Sequence, residues 1–158
     1  MVFTKKDGMA TPLYLEDFEP GQRFTESIRI RVEPERLASF AAEFDPQPFH
    51  LDDAAAADTV FAGLAASGWH TAAITMRLLT ESNFTPAGGI IGMGFDELHW
   101  PQPVRPGDEL RVEVDILQVR PSRSRPTQGI ITTRTTTLNQ HDEPVQVSVG
   151  NLLVSRRS

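Results

Sequence analysis

Residues 63–82 read GLAASGWHTAAITMRLLTES, the longest helical segment in the chain. Trp69, Ala72, Ala73, Ile74, Met76, Leu78 and Leu79 are distributed around most of the circumference of that helix, and apolar residues on nearly every side predict burial on nearly every side. No later segment repeats the pattern. The remainder of the chain is strand-like: residues 88–100, 108–119, 127–140 and 143–155 are rich in β-branched and aromatic residues and are separated by turn signals at Pro106-Gly107, Pro121 to Pro126 and His141-Asp142. Upstream, Pro20-Gly21 marks a turn before alternating Phe24, Ile28, Ile30 and Val32, which predicts one strand. EPERLASFAAEF, residues 33–44, has Pro34 near a helix start and Leu37, Phe40, Ala41 and Phe44 at three-to-four spacing, an amphipathic helix. One strand, two helices and four strands make an α+β pattern. The economical way to bury a single apolar helix is to curl an antiparallel sheet around it. The reading is therefore one domain over residues 13–158, a sheet wrapped around a long central helix, preceded by an untethered segment at 1–12.

Composition narrows the function classes. A chain of 158 residues with 15 Lys and Arg against 21 Asp and Glu carries a formal charge of −6, which argues against nucleic-acid binding, since that affinity comes mostly from neutralising phosphates. VRPSRSRP, residues 119–126, is the local exception. It reads as a solvated turn between strands or, alternatively, as Arg120, Arg123 and Arg125 forming a docking patch for a small polyanion. No apolar run approaches the roughly 20 residues of a membrane span, and nothing resembles a secretory signal, so a cytoplasmic location is expected. The absence of cysteine removes thiolate chemistry and leaves oxygen and imidazole groups.

EFDPQPFHLDD, residues 43–53, places an aspartate and a histidine five positions apart. Pro46 cannot continue a helical hydrogen-bond ladder and restrains Asp45, as Pro48 restrains Gln47, so the helix stops at Asp45 and a stiff loop comes after it. From the residues alone this is either a surface helix stop or a preorganised pair of groups that exchange protons. His70, His99 and His141 form no i,i+4 pair and no HExxH pattern, so no metal site is predicted. GGIIGMG at 88–94 lacks the helix and lysine of a phosphate loop, and its glycines read as a strand bulge or a close-packing site.

Three stretches resemble the MaoC-like dehydratases, also called R-specific enoyl-CoA hydratases or hydratase 2, of the hot dog fold. DPQPFH at 45–50 is similar to the family's D-x-N-P-x-H loop, ASGWH at 66–70 opens the central helix, and LHWPQPVRPGD at 98–108 is similar to a strand ending in an aromatic and then P-V-x-x-G-D. Gln47 stands where the family pattern has asparagine, its amide one methylene further out. The resemblance implies that Asp45 and His50 activate one water between them, Asp45 as general base and His50 as its proton-handling partner. It also implies that the Gly68 amide donates to the thioester oxygen, where a helix N-terminus offers unsatisfied amides. Gln47, Ser67, Trp69 and His70 are the candidate substrate contacts. The implied reaction is reversible hydration of an enoyl-CoA to a 3-hydroxyacyl-CoA, with no cofactor beyond the coenzyme A of the substrate, in a homodimer or larger homo-oligomer. A hot dog thioesterase and a non-catalytic acyl-thioester-binding domain are the alternatives. Many such thioesterases use a carboxylate on the central helix, and residues 68–80 contain none.

Overall fold

Ser67 begins the central helix, its hydroxyl accepting from the Trp69 amide at 3.3 Å, and the helix runs over Gly68–Glu81 in the computed structural model. Residues 10–158 are described; most of the segment expected to hang free, residues 1–9, lies outside them. In chain order the helices are α1 (Pro34–Phe44), α2 (Pro48–Leu51), α3 (Asp53–Ala56) and α4 (Gly68–Glu81). The strands are β1 (Arg23–Thr25), β2 (Ile30–Arg31), β3 (Ile91–His99), β4 (Glu109–Pro121), β5 (Gln128–Leu138) and β6 (Pro144–Ser155).

These six strands pair antiparallel, in the order β1-β4-β5-β6-β3, with β2 also pairing to β4. In β4 the alternation is clean: Leu110, Val112, Val114 and Ile116 are buried, as a strand with one face on a core requires. They meet Leu78 and Leu79 of α4 and Leu37 of α1 in a single apolar cluster. Burying a side chain of that size contributes about 1.5–3 kcal/mol. The sheet also turns polar groups inward: Thr75 of α4 bonds the Thr137 hydroxyl of β5 at 2.6 Å. Buried hydroxyls are tolerated when paired in this way.

Four readings of the sequence change. The strand expected over residues 24–32 is two short strands, β1 and β2, that pair with successive stretches in the first half of β4, β1 with Glu113 to Asp115 and β2 with Glu109 and Leu110. The stiff loop after Asp45 contains a one-turn helix, α2, because proline is well placed at the first helical position, where its missing N–H would have no acceptor. Phe44 is largely exposed although its spacing matched the core face of α1. The central helix is buried on most but not all sides: Trp69 and Met76 are exposed. The glycine-rich run does form an irregular strand, with register shifts on either side of Phe95 and a left-handed Gly94 at φ 127°.

Candidate active site

Helix α1 ends where Pro46 forbids another turn, and this puts Asp45 at its C-cap, its amide still bonded to the Ala41 carbonyl at 2.9 Å. Three residues later α2 brings His50 back toward it. The His50 Nδ1 lies 2.7 Å from the Ala65 carbonyl. A carbonyl can only accept, so Nδ1 carries a proton and donates it. Nε2 is left facing Asp45 Oδ2 at 3.3 Å. The imidazole is buried, with Phe49 and Phe61 against it at ring distances of 4.6 and 5.6 Å.

Asp45 is held from two further sides. The Ser67 hydroxyl donates to Oδ2 at 2.7 Å and the Gln47 amide to Oδ1 at 2.5 Å. Burial pushes the Asp45 carboxyl up, but the hydrogen bonds from Ser67 and Gln47 and the nearby His50 outweigh it, and the net direction is down. Asp45 is therefore a carboxylate at neutral pH. Its stabilisation by ionisation is present above the unfolded-state pKa of roughly 3.9 and is lost as pH falls through the lower folded value. Ser67→Ala removes the first of the two hydrogen bonds and the α4 cap together. At pH 7 it should lose the cap, about 1 kcal/mol, and the charge-assisted bond, about 1.5–3 kcal/mol. In acid, once Asp45 is protonated, the gap between wild type and variant should narrow toward the cap alone. Urea melts at both pH values measure this, and a gap that does not change with pH would remove Ser67 from the account of Asp45.

Asp45 and His50 open onto a cavity of about 310 Å³ whose wall includes Gly68, Trp69, Thr71 and Trp100. Gly68 is the first residue of α4, so its amide has no intrahelical acceptor. A Cβ at Gly68 would lie 2.7–2.9 Å from the Trp100 indole. Glycine is thus required here by the approach of that ring, a reason the sequence did not show. Trp100 is fixed by its Nε1–H, which donates to Gln146 Oε1 at 2.9 Å, and by the edge of Trp69, centroid to centroid 5.4 Å. The aromatic at the end of the predicted strand was the only sign of this wall.

The structure brings Asp45, His50, Gly68 and Trp69 to one cavity and places the other candidates differently. Gln47 touches Asp45 but is absent from the cavity wall. Ser67 is fully buried, and its hydroxyl is committed to Asp45. His70 stacks on Phe40 at 4.6 Å and borders a separate groove between α1 and α4. Burial and Arg36 push its pKa down, and its Nδ1 is buried without a hydrogen-bond partner. In this chain Ser67 supports Asp45 and His70 packs on Phe40, and neither lines the cavity of Asp45 and His50. The arginine cluster lies at the far end of β4, whose 13 residues span roughly 40 Å, while Val104, just before β4, lines the cavity. Arg120 is near the end of that strand and Arg123 and Arg125 lie in the turn after it, at the opposite end of β4 from Val104. Among the described residues, no group of three His, Asp or Glu could hold a metal ion, and no helix is long and apolar enough to cross a membrane.

The family described as MaoC like domain matches residues 17–139, a span that holds every residue of the cavity. The chain belongs to this family. Its sheet curled around α4 is the hot dog fold of MaoC-like structures. The MaoC-like dehydratase from Rhodospirillum rubrum is 57% identical and superposes with a TM-score of 0.88 over 92% of this chain and 99% of that one. The (R)-hydratase from A. caviae involved in PHA biosynthesis is 28% identical, with a TM-score of 0.66 over 90% of this chain and 99% of that one. A 3-hydroxybutyryl-CoA dehydratase from Methylorubrum extorquens is 32% identical over 114 residues, 72% of this chain and 69% of that protein. These MaoC-like relatives place the chain among proteins of the hydratase and dehydratase kind.

Proposed function

We propose that this protein reversibly hydrates a 2,3-enoyl thioester of coenzyme A to the 3-hydroxyacyl thioester. The observation that carries the reading is the pair of proton acceptors, His50 Nε2 and Asp45 Oδ2, 3.3 Å apart on the wall of a cavity that also presents the first amide of α4. Two facing acceptors repel unless a proton lies between them or a water donates to them. When water attacks C3, its O–H bond breaks as the C3–O bond forms, and the proton passes to the pair. Nε2 has the free lone pair, because Nδ1 carries the proton given to Ala65, and a carboxylate beside it to balance the charge, so it holds the proton as an imidazolium hydrogen-bonded to Asp45. It is then delivered to C2. Charge that builds on the thioester oxygen meanwhile is met by the Gly68 amide at the positive end of the helix.

Purified protein mixed with crotonyl-CoA tests this. Loss of enoyl absorbance without release of free thiol supports hydration; thiol release would make it a thioesterase, and neither signal across a panel of enoyl-CoAs graded by length and branching would leave a binding domain. The thioesterase reading also lacks a carboxylate near the cavity on α4, whose one acid, Glu81, is at the far end and paired with Arg77 at 2.7 Å.

The same reading includes a homodimer. β3 is an edge of the sheet, and Ile91, Met93 and Phe95 on it are exposed, as are Trp69 and Met76 on α4. An edge strand with a row of large apolar side chains is an aggregation hazard unless a partner covers it, and a second copy does so with closed symmetry. Light scattering at micromolar concentration should give at least twice the 17.5 kDa chain mass. A monomer that hydrates crotonyl-CoA would contradict this.

A further inference from the structure

Arg105 sits between β3 and β4, outside the cavity wall, yet its side chain reaches one short segment of main chain beside the site. Its Nη1 donates to the carbonyls of Gly63 and Leu64 at 2.9 and 3.2 Å, and its Nη2 donates to the Phe61 carbonyl. The segment has an unfavourable backbone: Ala62 and Gly63 both have positive φ, 52° and 143°, a region that a non-glycine residue such as Ala62 seldom adopts. Other ties converge on it, with the Phe61 amide donating to Thr59 Oγ1 at 3.2 Å and the Leu64 amide to Asp53 Oδ1 at 2.9 Å. The next residue is Ala65, whose carbonyl accepts the His50 Nδ1 proton at 2.7 Å. Phe61, held by its own carbonyl, lays its ring on the same imidazole.

We propose that Arg105 is a positioning residue for the proton-transfer pair: by fixing residues 61–64 it fixes the Ala65 carbonyl, which selects the Nδ1–H tautomer of His50 and leaves Nε2 to face Asp45. Only arginine has this shape. Its planar fork spreads five donors over a fixed width, whereas a lysine ammonium offers three from one point. The Ala66 amide, in the same peptide unit as the Ala65 carbonyl, donates to the Val104 carbonyl at 2.9 Å, and the Ala65 amide donates to the Phe49 carbonyl at 3.2 Å. The fork acts together with these ties: without it the left-handed turn relaxes, the Ala65 carbonyl is held less firmly opposite Nδ1, and the proton can sit on either ring nitrogen. In the Nε2–H form the imidazole cannot accept a proton from water.

The inference rests on His50 as the proton-handling group, but its first readout needs no substrate. Long-range proton–nitrogen NMR reports which ring nitrogen carries hydrogen, and the His50 signal is identified by replacing His70, His99 and His141 one at a time. In wild type, at a pH where the imidazole is neutral, His50 should be the Nδ1–H tautomer. In Arg105→Lys and Arg105→Gln it should become an exchanging mixture, and kcat on crotonyl-CoA should fall about tenfold or more, the scale of a small misplacement of a reacting group. A changed tautomer in a protein that hydrates nothing would uphold the positioning role and sink the hydratase reading. Folded variants with an unchanged His50 tautomer would overturn the proposal whatever their activity. So would unfolding of both variants, which would make Arg105 a purely structural tie.

Discussion

Asp45→Asn and His50→Gln should each lower turnover of an enoyl-CoA by at least about a hundredfold, the usual scale for acid-base groups, with the fold retained. Asparagine keeps the shape of Asp45, and with its oxygen in the place of Oδ2 it still accepts from Ser67, but that oxygen is uncharged opposite His50 Nε2, where the structure has a carboxylate at 3.3 Å. The imidazolium that holds the water's proton then loses its counter-charge. Glutamine at position 50 can still donate to the Ala65 carbonyl, the bond that His50 makes at 2.7 Å, so the local backbone is supported while the proton acceptor is gone. The double variant should lose much less than the product of the single effects, because two groups that share one proton act as a unit. Steady-state rates for the three variants check this. Near wild-type hydration by either single variant would overturn the assignment, and multiplicative losses would show that the two residues serve separate steps.

The parts of this site that were legible in the sequence are those set by neighbours along the chain. Pro46 stops α1 at Asp45 whatever the rest of the protein does, and the apolar pattern of 69–79 makes α4 the element that a sheet must cover. The resemblance of DPQPFH and ASGWH to a family loop and helix start brought Asp45, His50 and Gly68 together without any geometry. What was not legible depends on contacts between distant segments. Arg105 meets carbonyls more than forty positions upstream, and Trp100 is fixed by Gln146, forty-six positions downstream. No periodicity or spacing encodes such a meeting. The tie from Ser67 to Asp45 is hidden for a related reason: a buried hydroxyl and a cavity hydroxyl look alike in a sequence, and only the 2.7 Å bond to Asp45 shows this one's partner. The break between β1 and β2 was hidden because alternation at Phe24, Ile28, Ile30 and Val32 survives a change of partner residues along β4.

Gly68→Ala should be the other large loss, on the order of tenfold to a hundredfold in kcat, and a second substitution separates its two causes. The added methyl would sit 2.7–2.9 Å from the Trp100 indole, well inside contact distance and against a ring rather than a flexible end. Either the indole gives way, breaking its 2.9 Å bond to Gln146, or the first turn of α4 shifts and carries the Gly68 amide off the thioester oxygen. Removing one such donor typically costs about a hundredfold to a thousandfold, so a partial displacement falls below that range. Trp69 and Trp100 are the two tryptophans of the chain and both line the cavity, so a moved indole is visible as a change in intrinsic fluorescence. Trp100→Leu alone opens space over Gly68 and should cost less than Gly68→Ala, since the side chain at position 100 has no assigned contact to the reacting atoms. In the double variant the methyl has room. If glycine is needed only to admit the ring, Gly68→Ala with Trp100→Leu should recover to the level of Trp100→Leu. If glycine is needed because the substrate must approach the helix backbone closely, as a thioester oxygen bonded to the first amide would, the methyl obstructs substrate as well and the double variant stays low. A double variant that stays low assigns the loss to the methyl against the substrate, and full recovery assigns it to the displaced ring or helix turn; Gly68→Ala with wild-type kcat would contradict both.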